Sequence, residues 1–191
     1  MGVEIEGALL RARTGSLDQN LNIAHHRGVA IRVIITGGTF DKHYDEIRGS
    51  LTFKDSHLPE ILTFVRCAVP IELELNQLID SLDMHISNRL QILESCRRAA
   101  EDRIVITHGT DTMAETAEVL GKAGLAKTIV LTGAMVPYIF NNSDAVFNLG
   151  SAITAVQLLP NGVYIAMNGR VFPWDGVRKD KERGVFEEKG P

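Results

Sequence analysis

Cysteine is scarce in this chain: two residues, Cys67 and Cys96, in 191. Cys67 follows an apolar run and Cys96 falls in a helical pattern. Both read as small core residues with free thiols, and a disulfide is the weaker reading. There is no C-x-x-C, and His43, His57, His85 and His108 lack ligand spacing, so no metal is assigned. The adjacent pair His25-His26 is poor evidence for a metal by itself. No apolar run approaches the length of a membrane span, which argues against a membrane partner. Residues 1–27 carry charges throughout and lack the apolar stretch of a signal peptide. With free thiols, this points to a cytoplasmic protein. The net charge is -4 and no basic stripe stands out, so nucleic acid is not expected as a partner. Neither G-x-x-x-x-G-K-[ST] nor G-x-G-x-x-G occurs, and a G-x-S-x-G nucleophile elbow is missing too. A nucleotide is disfavoured, and no cofactor is expected.

The remaining composition is that of one soluble domain, with 45% hydrophobic and 23% charged residues. Residues 1–28 show no sustained period and read as a mobile arm or peripheral helix. Residues 29–183 form the folded domain, and 184–191 a C-terminal tail. Residues 29–35 are a short β-branched run ending in a glycine turn, as a buried strand does. Residues 71–75 alternate apolar and acidic, which predicts a half-buried strand. Further strands are expected at 104–106, 128–131 and 163–167. Helical stripes fall between them: Leu90, Leu93, Cys96 and Ala100; Met113, Ala117, Leu120 and Gly124; Ala145, Leu149, Ala152, Val156 and Leu159. Thr112 and Glu115 have capping-box spacing. Alternating strands and helices predict an α/β fold, a three-layer doubly wound and mainly parallel sheet of the flavodoxin-like type, in a single domain.

In such sheets ligands bind beyond the carboxyl ends of the strands. Three expected strands end in glycine turns with polar residues: Thr36-Gly37-Gly38-Thr39, His108-Gly109-Thr110-Asp111 and Thr132-Gly133-Ala134-Met135. One such turn is only a tight connection; three at one edge, two of them with threonine following the glycine, favour a site. A threonine hydroxyl needs a partner to take its proton. Lys42, Tyr44 and Lys179 are candidates, and spacing does not choose among them. Taken alone, Lys179 sits in a run that reads as solvated charge, Asp111 as a helix-start carboxylate, and Ser143 as a helix N-cap.

At these residues the chain resembles the bacterial-type L-asparaginase and glutaminase-asparaginase family. The strand with T-G-G-T is Ile34-Ile35-Thr36-Gly37-Gly38-Thr39-Phe40. The H-G-T-D-T segment with its following helix runs from Thr107 to Ala117. Further matches are Asp80-Ser81-Leu82-Asp83-Met84, Thr132-Gly133-Ala134-Met135 with Pro137, Ser143-Asp144 with Asn148, and Met167-Asn168 leading to Lys179. The similarity covers about residues 30 to 182, so 29–183 is expected to be an asparaginase N-terminal-type catalytic domain. The resemblance implies a hydrolase that converts L-asparagine to L-aspartate and ammonia through a threonine nucleophile and an acyl-enzyme. Thr39 would attack, and Tyr44 would hydrogen-bond it and help close the site. Thr110, Lys179 and Asp111 would form an activating set. Gly38 and Ser81 would hold the α-carboxylate, with Leu82 beside them. Asp111 would hold the α-ammonium, the backbone at Gly109 and Thr110 the oxyanion, and the Ala134 carbonyl would face the leaving ammonia.

Two departures stand out. Most relatives carry a second C-terminal domain that gives site residues to a neighbouring subunit. The resemblance therefore implies a short single-domain form and a homo-oligomer, dimer or tetramer. Its site would be completed from within the domain or by a partner subunit, with Tyr138, Asn141 and Asn142 as candidates. Many relatives also have glutamine where Leu82 stands, which bears on the choice between asparagine and glutamine. The alternative readings are an amino-acid-binding sensor without turnover and an amidase with glutaminase activity.

Overall fold

A computed structural model describes residues 30–190. The expected arm at 1–28, with His25-His26, lies outside the described residues. The β-branched run becomes β1 (Ile31–Gly37). Ile31, Val33 and Ile35 face one side of the sheet, Ile34 faces the other, and all four are buried. A strand covered on both faces needs this near-continuous apolar sequence. β1 pairs in parallel with β4 (Ile71–Ile79) on one side and β5 (Arg103–Thr107) on the other. Beyond β5 lie β6 (Thr128–Thr132), β7 (Gly162–Met167) and an antiparallel edge strand β8 (Arg170–Pro173). The sheet order is β4-β1-β5-β6-β7-β8. Its five parallel strands follow the doubly wound, flavodoxin-like order expected.

Helices α1 (Leu58–Phe64) and α4 (Ala145–Leu158) cover the face carrying Val33 and Ile35. Helices α2 (Ile86–Arg98) and α3 (Met113–Lys122) cover the face carrying Ile34. This makes three layers. Parallel crossovers share one hand almost without exception. The connections through α1, α2 and α3 agree with one another. The β6–α4–β7 connection runs in the same direction as those through α2 and α3 yet packs on the opposite face, so its hand is reversed. No helix among the described residues is long and apolar enough to cross a membrane.

Several local expectations fail for physical reasons. Thr112 and Glu115 do not form a capping box: the Thr112 hydroxyl donates to the Ser81 carbonyl at 2.7 Å, and Glu115 pairs with Arg89 at 2.7 Å. The capping box belongs instead to α2, between His85 and Asn88. On α2 the buried stripe is Arg89, Ile92, Leu93 and Cys96, while Leu90 points outward and the helix ends before Ala100. On β4 the apolar half of the alternation is the more open one. Leu75 is 61% exposed, whereas Glu74 is half-buried and accepts from Ser95 Oγ. Helix α2 packs on the acidic face, where Ser95 bonds Glu74 and Asn76, and the apolar face of this edge strand is left open. Four short strands carry no pattern strong enough to read: β2 (Lys42–Asp45) with β3 (Ser50–Phe53), and β9 (Val177–Asp180) with β10 (Val185–Glu188). β10 lies within the stretch expected as a tail, and its Phe186 is buried in the α2–α3 core. Both cysteines are free thiols, and burial pushes Cys96 up to about 12.

Candidate active site

β4 lies to one side of β1 and β5 to the other, so the turns leaving β1 and β5 diverge and open a crevice at the carboxyl edge. Within it the turns touch through their backbones. A Cβ on Gly38 (φ 76°) would overlap the Gly109 backbone nitrogen. A Cβ on Gly109 would sit 2.6 Å from Ser81 Oγ. Side chains at either position would force apart the segments carrying Thr39, Thr110 and Ser81. Thr36, behind them, is structural and donates to the Thr107 carbonyl at 2.7 Å.

Lys179 reaches this crevice from β9. Its cross-strand partner is Phe186, so the two side chains share a face, and that face turns to the core. Arg178 takes the other face and pairs with Glu187 at 2.6 Å. The strand alternation thus separates one buried lysine from a run of solvated charges. The Lys179 side chain is 9% exposed, and its Nζ donates to Thr110 Oγ1 and Asp111 Oδ1, each at 2.8 Å. The other candidate bases are placed elsewhere. Lys42 donates to Asp80 at 2.6 Å, and Tyr44 on β2 is 54% exposed.

Thr39 lies in a short 3-10 helix, η1 (Thr39–Asp41), and is half-buried between the buried residues Gly38, Phe40 and Asp41. Among the described residues it has no side-chain hydrogen bond to Tyr44, so the closing contact between them is not formed. Ser81 begins a second 3-10 helix, η2 (Ser81–Asp83), capped by Asp80, whose carboxylate accepts from the Leu82 N–H. Burial opposes the charge on Asp80, but Lys42 and that N–H outweigh it and hold the carboxyl below its ordinary value. Ser81 Oγ is buried and has no partner among the described residues. Leu82 next to it is 66% exposed.

His108 is enclosed. Its Nδ1 lies 2.8 Å from the Gly109 carbonyl and its Nε2 2.8 Å from Thr116 Oγ1. A neutral ring satisfies both when Nδ1–H donates and Nε2 accepts. Burial pushes the imidazole down to about 4, so it orients the turn without charge. Ala134 is fully buried. Its segment is held by Asn148, which donates to the Gly133 carbonyl at 2.9 Å, and by Asp144, which accepts from the Met135 and Val136 N–H groups. Tyr138 donates to Glu60, while Asn141 and Asn142 are exposed. Among the described residues no group of three or more His, Cys, Asp or Glu side chains could hold a metal. Sequence reasoning missed two contributors, Asp41 and the tie from Thr112 to Ser81. Neither has a signal in spacing, because both depend on contacts between distant segments.

The fold and this crevice define a doubly wound domain with a hydrogen-bonded threonine–lysine–aspartate set at its switch point. The family model described as "Asparaginase, N-terminal" matches residues 30–185, and the chain belongs to that family. One subunit of the glutamyl-tRNA(Gln) amidotransferase of Aeropyrum pernix is 31% identical over 180 residues, 87% of this chain and 42% of that protein. L-asparaginase 1 of Escherichia coli (strain K12) is 32% identical over 155 residues, 75% of this chain and 45% of that protein. The solved thermostable L-asparaginase from Thermococcus kodakarensis superposes with a TM-score of 0.73 at 29% identity, covering 83% of this chain and 51% of that one. The chain thus spans about half the length of the relatives it matches.

Proposed function

We propose that this chain is an L-asparagine amidohydrolase that works through a threonine nucleophile. The observation that carries the reading is the pair of 2.8 Å bonds from the nearly buried Lys179 to Thr110 and Asp111. A solvated charge run has no use for such an arrangement. A lysine shut away from water beside a hydroxyl can exchange a proton with it. Thr39 attacks the side-chain amide carbon, and backbone N–H groups of the Gly109–Thr110 turn face the oxyanion. The C–N bond breaks, and ammonia leaves past the Ala134 carbonyl carrying the proton given up by Thr39. Water, activated by Thr110 and Lys179, then cleaves the acyl ester and releases aspartate. Ser81 Oγ, unpartnered in the protein, and the Gly38 backbone hold the α-carboxylate. Asp111 keeps one oxygen on Lys179 and offers the other to the α-ammonium. Tyr44 closes over Thr39 when its hairpin moves inward.

Ammonia release from L-asparagine, L-glutamine and a control amide tests the reading. Asparagine turnover that disappears in Thr39→Ala supports it. Tight asparagine binding without turnover in the wild type would replace it with a sensor. The amidotransferase relative favours a second reading, glutamine hydrolysis that supplies ammonia to a partner. A pocket discriminates a single methylene by only about 1–3 kcal/mol, so the two activities are separated by ratio rather than by presence. The proposal extends to a homo-oligomer. It is supported by the exposed Phe64, Phe140 and Phe147 on the α1–α4 side, and sedimentation measures it.

A further inference from the structure

Of the residues in the turn that carries Thr39, only Thr39 itself has access to solvent. Gly38 is pressed on Gly109, Phe40 is in the core, and Asp41 is fully buried. Asp41 Oδ1 accepts from Ser56 Oγ at 2.8 Å and from the His57 N–H at 3.1 Å. Its Oδ2 is buried and has no partner among the described residues. Residues 41 and 56–57 bracket the β2–β3 hairpin, so this one carboxylate closes the loop at the hairpin's base. A second bracket lies just inside it. His43 Nε2 is 2.8 Å from Asp55 Oδ1, and the His43 ring stacks on His57 at 4.0 Å between centroids. Burying a carboxylate with one oxygen unpaired is costly, and a neutral amide would make the same two bonds at lower cost.

We propose that Asp41 is a positioning residue for Thr39, its buried carboxylate clamping the nucleophile's turn to the base of the hairpin that carries Tyr44. The inference rests on the reading of Thr39 as nucleophile. The ionisable groups around the carboxylate are Lys42 and His43 of the hairpin, Asp55 and His57 beyond it, and Glu60 on α1, with Tyr138 over His57. Burial raises the Asp41 carboxyl to about 6, so the clamp loses its charge as the pH falls through that value. Because burial disfavours the charged form, the closed clamp is more stable with the carboxyl neutral, and the hairpin is therefore held more firmly below pH 6 than above it.

The test compares wild type, Asp41→Ala, Asp41→Asn and Ser56→Ala of the full chain. It records kcat and KM for asparagine across the pH range, and backbone hydrogen exchange of residues 42–53. Displacing a reacting group by about 1 Å costs on the order of 10²-fold. Asp41→Ala should therefore lose kcat on that scale, with KM changed only a few-fold and faster exchange in the hairpin. Asp41→Asn should recover most of the loss, and its kcat should lack the change through pH 6 that the wild type shows. Ser56→Ala removes one donor and should show the same split at smaller size, which keeps the test valid if Asp41→Ala does not fold. Unchanged hairpin exchange in Asp41→Ala and Ser56→Ala, or a kcat in Asp41→Ala within twofold of wild type, overturns the clamp. If the wild type releases no ammonia from asparagine, the asparaginase reading fails, and hairpin exchange alone then decides the clamp.

Discussion

Lys179→Met and Lys179→Arg separate what the lysine holds from what it does. Methionine keeps most of the stem packed on the Phe186 face and removes the charge and both 2.8 Å bonds. Asp111, 37% exposed, can recover water, so the lost ion pair is worth about 1 kcal/mol of stability, as at other partly solvated sites. For a domain of this size that lowers Tm by roughly 2–4 °C. The effect on turnover should be far larger. Positioned proton transfer contributes about 10²–10⁴-fold to rate, or roughly 3–5 kcal/mol of the barrier. Arginine keeps a positive charge beside Asp111 but does not release its proton in proteins. The expected result is kcat/KM down at least about 10²-fold in both variants, with Tm restored only by arginine. The assay is coupled ammonia detection with asparagine, alongside thermal unfolding. Lys179→Arg activity within tenfold of wild type would refute the proton-transfer role and leave the lysine as a structural tie.

Two further outcomes follow from the geometry. Gly109→Ala places a methyl 2.6 Å from Ser81 Cβ and Oγ and 3.1 Å from the Ser81 nitrogen; it should raise KM for asparagine by about tenfold or more by displacing the turn that carries Ser81, and an unchanged KM would remove Ser81 from the site. His108 and Asp41 act on acid stability with opposite signs. His108 titrates near 4 in the fold against an ordinary 6.5, so the unfolded chain takes up the proton first and about 3 kcal/mol is lost as the pH falls from 6.5 to 4. Asp41 titrates near 6 in the fold against 3.8, so the folded chain takes up the proton first and a similar amount is gained between 6 and 3.8. Denaturant unfolding should therefore show Asp41→Asn losing more stability than wild type between pH 6.5 and 4; parallel profiles for the two proteins would show that Asp41 is not buried as an acid.

The parallel core was legible in the sequence because strands buried on both faces must be apolar throughout. The runs at Ile31, Ile104 and Ile129 carry that requirement openly, and the glycine turns mark where they end. The edges were not legible. On β4 the same alternation fits either orientation, and only the docking of α2 on the Glu74 face leaves Leu75 outward. β9 is two charges and a valine before Asp180, with no pattern of its own. Its inward lysine is decided by pairing with β10, a partner that exists only once Phe186 is buried. The resemblance named Lys179, but the residues alone read it as surface. Asp41 had neither kind of signal, since its meaning lies in Ser56 and His57, fifteen and sixteen positions on.

The reversed connection through α4 explains how so small a domain surrounds its crevice. With the usual hand, the segment after β6 would descend behind the sheet on the α3 side. Because α4 lies on the α1 face, residues 133–144 must instead pass across the carboxyl edge. Ala134 and Tyr138 consequently pack with the α1 side, where Tyr138 meets Glu60 and the His57 ring beside the clamp at Asp41. The α2–α3 side delivers β9 and β10, whose Val177 and Phe186 anchor Lys179 from the opposite direction. Thr39 and Thr110 are therefore held between elements rooted in different layers, so a shift of one layer against the other changes the distance from Thr39 to the Thr110–Lys179–Asp111 set. The tight glycine contact between Gly38 and Gly109 resists that shift at its centre. It follows that substitutions widening this contact should cost turnover before they cost stability.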